Sequence, residues 1–171
     1  MNLYNTDKLR HGSLPLYQYW LRKLQTNILD HKSTEISQAL YKCIYKLTSL
    51  LYCNEISYYA KIGEGLYIGH PYCITINPNT EIGKNCNIHK GVTIGQENRG
   101  IRKGAPKIGD CVWIGVNSTI VGNIKIGNDV LIAPNSYINC DIPSHSIAFG
   151  NPCIIKPSQG ATDSYINNKI E

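Results

Sequence analysis

At 171 residues, with 17 basic against 12 acidic side chains, the chain has room for one domain and a small appendage, and its formal net charge is +5. The cations are dispersed apart from Arg99, Arg102, Lys103 and Lys107, which argues against a nucleic-acid platform. No run of eighteen apolar residues is present, and Met-Asn-Leu-Tyr-Asn-Thr-Asp lacks the apolar core of a signal peptide, so a cytoplasmic protein without membrane insertion is expected.

In chain order, residues 1–12 are polar and are expected to form a loosely ordered lead-in. From 14 to 29 the apolar residues Tyr17, Trp20, Leu21, Leu24 and Ile28 fall at helical spacing, with Ser13 as N-cap and Pro15 in the first turn. Ser33-Thr34-Glu35 opens a second helix that carries Ile36, Leu40, Cys43, Ile44, Leu47, Leu50 and Leu51 and runs to about Tyr52. Residues 1–54 are thus read as a helical hairpin segment. Its expected role is to cover the open end of the repeats that begin at residue 55, and it is also placed to meet a neighbouring subunit or an acceptor.

From residue 55 the period changes to six. Ile56, Ile62, Ile68, Ile76, Ile82, Ile88 and Ile94 form the first half of a ladder, and Ile108, Ile114, Ile120, Ile126, Ile132 and Ile138 the second. Small or branched residues recur four places after the isoleucines, among them Ala60, Leu66, Thr80, Cys86, Val92, Val112, Ser118, Ile124, Val130 and Ser136. Two inward positions in every six residues specify a parallel β-helix of triangular section, placed over residues 55–157 in some five coils. The ladder breaks twice, by two extra residues beside His70 and by eight between Ile94 and Ile108, and function is expected at those breaks. Residues 158–171 are expected to be a frayed polar C-terminal tail. The seven cysteines contain no CxxC pair, and Cys86 points inward, so free thiols and no metal site are expected.

The ladder resembles the left-handed β-helix acyltransferases, and residues 55–156 are similar to the serine acetyltransferase family without a gap. The carrying residues are Glu55-Ile56, Ala60-Lys61-Ile62-Gly63, Gly65, His70, Val92-Thr93-Ile94-Gly95, Pro106-Lys107-Ile108, Gly122-Asn123-Ile124, Gly150 and Pro152. The resemblance implies a left-handed coil and transfer of an acetyl group from acetyl-CoA to a hydroxyl. An alcohol is a weak nucleophile, so a base must take its proton, and an imidazole suits that work near neutral pH. His70 falls on the family's catalytic histidine, Glu55 on the carboxylate that orients it, and His89, outward beside Ile88, is the alternative base. For acetyl-CoA, Gly95, Val116, Ala133 and Pro134 match positions along the pantetheine arm. Gly150, Asn151, Pro152 and Lys156 match its nucleotide end, and Trp113 is placed to wall the thioester end.

Three departures bear on the acceptor. The family's aspartate before the catalytic histidine is Gly69 here, and its Arg-His before Pro-Lys-Ile is Gly104-Ala105. With those charges missing, a neutral polyol held by Asn77, Asn87, Gln96 and Asn98 is the expected acceptor, in the manner of a capsule or surface-polysaccharide O-acetyltransferase. The alternatives are serine O-acetyltransferase and a non-catalytic repeat scaffold. A homotrimer is expected from the resemblance and from the outward residues Tyr67, Trp113, Leu131 and Tyr137.

Overall fold

A computed structural model describes residues 3–30 and 34–171. Three helices precede the β-structure: α1 (Leu3–His11), α2 (Leu16–Asp30) and α3 (Glu35–Leu51). Thr34 caps α3, its side chain accepting a bond from the Ser37 N–H. Ser33 and the side chain of Ile28 lie outside the described residues.

The first helix departs from the loose lead-in expected of residues 1–12, and the reason is polar. Asp7, fully buried, accepts bonds from Arg22 Nε at 2.7 Å, Gln18 Nε2 at 3.0 Å and the Leu66 N–H at 2.9 Å. Arg10, 2% exposed, donates to the Gly65 carbonyl and to Asn87 Oδ1. Across the same end, Arg22 donates to the Ile62 and Gly63 carbonyls, Gln25 to Ala60, Gln18 to Leu66 and Tyr45 to Ile56. The first coil of a β-helix has one side of its backbone unpaired, and buried carbonyls left that way are costly. The helices supply those donors, while Tyr17, Leu21 and Leu24 of α2 join the continuous core beneath.

The β-helix has three faces of parallel strands. The first stacks β1 (Glu55–Ile56), β4 (Thr75–Ile76), β7 (Thr93–Gly95), β10 (Thr119–Val121) and β13 (Tyr137–Ile138). The second stacks β2 (Lys61–Ile62), β5 (Glu81–Ile82), β8 (Lys107–Ile108) and β11 (Lys125–Ile126). The third stacks β3 (Tyr67–Gly69), β6 (Asn87–His89), β9 (Val112–Ile114), β12 (Val130–Ile132) and β14 (Ser146–Phe149), closed by antiparallel β15 (Ile154–Pro157). Isoleucine stacks on isoleucine in register: Ile56 on Ile76 on Ile94 on Ile120 on Ile138 along the first face. All thirteen ladder isoleucines are buried, as are the ten small or branched residues between them. The fold is the parallel β-helix read from the period of six. At one corner, Gly63, Gly83, Gly109 and Gly127 stack so closely that a Cβ on Gly63 would lie 2.7 Å from the Gly83 carbonyl. Only glycine fits such an approach.

The C-terminal segment is not frayed. It folds back over the third face, where Tyr165 packs on Trp113 with ring centroids 5.1 Å apart and Ile166 is 3% exposed. Asn85 exchanges two bonds with the Ile170 backbone, and Asn87 donates to the Tyr165 carbonyl. The reversal is anchored by Asp129, whose carboxylate accepts from the Ala161 N–H, from the Thr162 N–H and hydroxyl, and from His145 Nδ1. A tail bound through backbone polar groups leaves no apolar period to read. Partial burial alone would raise the Asp129 pKa, but the bonds from Thr162, His145 and Ala161 outweigh it and hold the group at about 2. Because the folded value lies below the ordinary one of about 4, the anchor's contribution is complete above that pH and is lost as pH falls toward 2. Asp129→Asn is expected to release the tail at neutral pH, seen as at least tenfold faster hydrogen exchange at Ala161 and Thr162. Unchanged protection would refute the anchor.

Candidate active site

The two-residue insertion after Ile68 makes a wide turn between β3 and β4. His70, directly after β3, has φ +53°, and Cys73 before β4 has φ +58°, so the chain doubles back twice where other corners turn once. The turn is closed by the Tyr72 N–H donating to the His70 carbonyl at 2.7 Å, and the His70 side chain is left exposed to solvent. Glu55 opens β1, also exposed. Among the described residues, no hydrogen bond or ion pair joins His70 to Glu55.

Glu55 instead lines a cavity of about 540 Å³ between α3 and the first face. Asn77 and Gly95 line it too, so three residues assigned to different roles share one space. Lys42 and Lys46 of α3 face the same cavity and were not anticipated from the sequence. Their signal was present as two lysines four apart on one side of a helix, but nothing in the chain before folding placed that side beside Glu55.

Above Gly69 sits His89. A Cβ on Gly69 would lie 2.6 Å from His89 Cδ2 and 2.8 Å from Nε2, so the imidazole fills the place a side chain at 69 would take. His89 Nδ1 is 2.9 Å from the Ile114 carbonyl. A carbonyl only accepts, so Nδ1 carries the proton, and in the neutral ring Nε2 is left as an acceptor. Burial pushes the His89 pKa below its ordinary value, the bond to Ile114 opposes this, and nearby His70 lowers it further.

Along the edge between the third and first faces, residues stack in backbone contact. Lys90 donates to the Gly69 carbonyl, Asn117 to Lys90 and Asn135 to Val116. His70, Val116, Ala133, Pro134 and Gly150 all leave their strands at that edge. The edge is narrow, since a Cβ on Gly115 would meet Pro134 N at 2.6 Å. Asn151 and Pro152 are exposed beyond it, and Lys156 Nζ lies 5.6 Å from the Phe149 ring centroid. Gly95 departs from a different edge, between the first and second faces, where the long loop begins. That loop is a closed hairpin: Glu97 and Gly104 exchange backbone bonds, and Arg102 pairs with Glu97 at 3.2 Å. Gln96 and Asn98 are exposed and bonded to each other at 2.7 Å.

Two of the expected site residues are already engaged within the chain. Asn87, 4% exposed, spends its oxygen on Arg10 and its amide on Tyr165, so it is not open to an acceptor. Trp113 is covered by Tyr165 on one side and His89 at 4.7 Å on the other, and its outward position serves the chain's own tail. Tyr67 is likewise stacked by His11 at 4.1 Å, and Leu131 is only 9% exposed, so three of the four residues expected to face a neighbouring subunit are covered from within. No group of three metal-ligating side chains occurs among the described residues.

Residues 105–140 match the bacterial transferase hexapeptide (six repeats) family. The chain is 32% identical over 145 residues to a serine acetyltransferase of Staphylococcus aureus, covering 85% of this chain and 66% of that protein. It is equally similar to serine acetyltransferase 2 of Arabidopsis thaliana, covering 84% of this chain and 45% of the relative. The chain therefore spans from under half to about two thirds of these relatives' length. Among solved structures it resembles Neisseria gonorrhoeae serine acetyltransferase in complex with serine, with TM-score 0.71 at 25% identity over 89% of this chain and 66% of that one. A serine acetyltransferase in complex with CoA gives TM-score 0.68 at 26% identity over 82% and 55%.

These likenesses overturn the saccharide acceptor expected from Gly69, Gly104 and Ala105, since the proteins that this chain resembles act on serine by name. The physical reason is that the expectation counted charges only within residues 55–156, whereas Lys42 and Lys46 reach the cavity from α3. With Glu55 they give it both signs of charge.

Proposed function

From a chain that carries the transferase hexapeptide β-helix and is serine acetyltransferase-like over most of its length, we propose that this protein moves the acetyl group of acetyl-CoA to the hydroxyl of serine. His70 is the base. It takes the hydroxyl proton as the serine oxygen bonds to the thioester carbon, and it returns that proton to the departing thiolate. Glu55 acts through His70 or on the serine ammonium, and both uses place its carboxylate beside the reacting end. The observation that carries the reading is the exposed His70 on its widened turn, at the edge where Val116, Ala133, Pro134 and Gly150 stack. Acetyl-CoA supplies the activated acyl group. This chain's contribution is a narrow edge of small side chains for the extended arm, with Lys156 beyond it for the phosphates.

Because Gly95 and the long loop leave from a different edge than His70, one protomer presents two half-sites. A homotrimer in which the loop edge of one copy faces the His70 edge of the next would join them. Light scattering that shows a stable, active monomer would refute it. The cytoplasm is the proposed working compartment, on the ground that both substrates are water-soluble; no described helix is long and apolar enough to cross a membrane.

The acceptor is tested directly. Free L-serine is expected to be acetylated with kcat/KM above about 10⁴ M⁻¹s⁻¹, and hexoses not at all. Lys46→Ala is expected to raise KM for serine several-fold without altering KM for acetyl-CoA. Turnover of sugars with serine ignored would refute the assignment.

A further inference from the structure

Two cysteines sit one above the other on the edge that carries His70. A single backbone bond repeats along that edge: the Cys73 N–H donates to the Tyr52 carbonyl at 3.1 Å, Gly91 to Tyr72 at 3.0 Å, Asn117 to Lys90 at 3.0 Å and Asn135 to Val116 at 2.9 Å. Residues 53, 73, 91, 117 and 135 therefore form one column, a coil apart at each step. All five are left-handed, with φ between +51° and +73°. Neighbouring coils lie about 4.8 Å apart, inside the roughly 4.4–6.8 Å over which a disulfide joins two Cα atoms.

Side chains in this column reach their neighbours. Asn117 leans so far over Gly91 that a Cβ there would lie 2.1 Å from Asn117 Oδ1. At the start of the column the two neighbouring side chains are both thiols, both free and both exposed. Cys53 lies two residues before Glu55, and Cys73 closes the wide turn three residues after His70. We propose that Cys53 and Cys73 are a redox switch on the His70 turn, closing to an intrachain disulfide when the chain meets a low-molecular-weight disulfide. One cysteine attacks the sulfur–sulfur bond of the reagent and releases one small thiol; the second attacks the mixed disulfide and releases the other. Two protein thiols are oxidised, and one small disulfide is reduced to two thiols. In a reducing compartment the pair stays open.

The effect on catalysis rests on the acetyl-transfer reading. A base makes its bond to the reacting hydroxyl fully only when the acceptor is bound, so the turn has to adjust. A covalent tie to the preceding coil opposes that adjustment. Val116, Ala133, Pro134 and Gly150 lie on later coils, and their hold on acetyl-CoA is untouched.

Oxidised glutathione is the probe, applied to the purified full chain before alkylation and peptide mapping. Two of the seven cysteines are expected to escape alkylation, in a peptide that joins 53 to 73 within one chain, and dithiothreitol is expected to reopen it. The bridge is expected to raise the melting temperature by on the order of 5–10 °C and to lower kcat at least threefold with KM for acetyl-CoA unchanged. Cys53→Ser is expected to show neither change and to keep glutathione on Cys73. Glutathione left on both cysteines overturns the proposal, as does a linked dimer in place of the intrachain bridge, or a bridge that leaves kcat unaltered. A reduced chain that acetylates no serine yet forms the bridge, with the rise in melting temperature, refutes the acetyl-transfer reading and upholds the pairing.

Discussion

Replacing His70 with alanine is expected to lower kcat by about two to four orders of magnitude while the affinity for CoA stays within a few-fold. The size follows from the proposed role. A base that acts only as the oxygen–carbon bond forms contributes to the transition state and little to the ground state, so its removal appears in kcat rather than in KM. Glu55→Gln is expected to lose less, because among the described residues nothing locks Glu55 to His70 and its carboxylate is solvent-exposed. His89 is the internal control. Its ring is already oriented by the Ile114 carbonyl with Nε2 left as an acceptor, and burial keeps it neutral to lower pH than an ordinary histidine. If His70→Ala retains more than about a tenth of wild-type turnover and His89→Asn does not, the base is His89. Stopped assays of thiol release with each variant, at saturating acetyl-CoA, separate the two outcomes.

What could be read before folding was the part governed by apolar period. Every isoleucine of the ladder is inside because a flat strand face admits one register, and a period of six counts the faces. The widened turn at His70 and the hairpin loop at Gln96 were legible as breaks in that count. What escaped is held by polar groups. α1 is bound through Asp7 and Arg10, and the tail through Asn85, Asn87 and Asp129, none of which leaves a hydrophobic rhythm. The same blindness placed Asn87 in an acceptor site and Trp113 at a thioester wall, since outward-pointing was taken as open to solvent. Lys42 and Lys46 failed for a different reason: a cavity between a helix and a strand face depends on how the two dock, and docking is written in contacts between distant segments. The left-handed turns at Asn117 and Asn135 illustrate the favourable case, because asparagine at a corner tolerates that conformation and is visible in sequence.

Arg22→Met is expected to cost about 3–5 kcal/mol, the penalty for leaving one charge of a buried pair without its partner. Arg22 and Asp7 are both fully buried and meet at 2.7 Å. The guanidinium uses its donors on Asp7 through Nε and Nη2, on Gln25 and the Ile62 carbonyl through Nη1, and on the Gly63 carbonyl through Nη2. Methionine fills much of the volume but donates nothing. Asp7 would then keep Gln18 and the Leu66 N–H as its neutral partners, and two carbonyls of the first coil would lose theirs. For a chain of this size each kcal/mol lowers the melting temperature by roughly 2–4 °C, so a fall of about 6–20 °C is expected. The double variant Asp7→Leu/Arg22→Met separates the two sources of that loss. Removing both charges takes away the unpaired-carboxylate penalty, whereas the Ile62 and Gly63 carbonyls stay without their donor and the Leu66 N–H loses its acceptor. In urea denaturation, a double variant more stable than Arg22→Met marks the unpaired carboxylate as the larger source, and one no more stable marks the lost backbone bonds. If Arg22→Met unfolds in urea within about 1 kcal/mol of wild type, the helices do not close the first coil through Arg22.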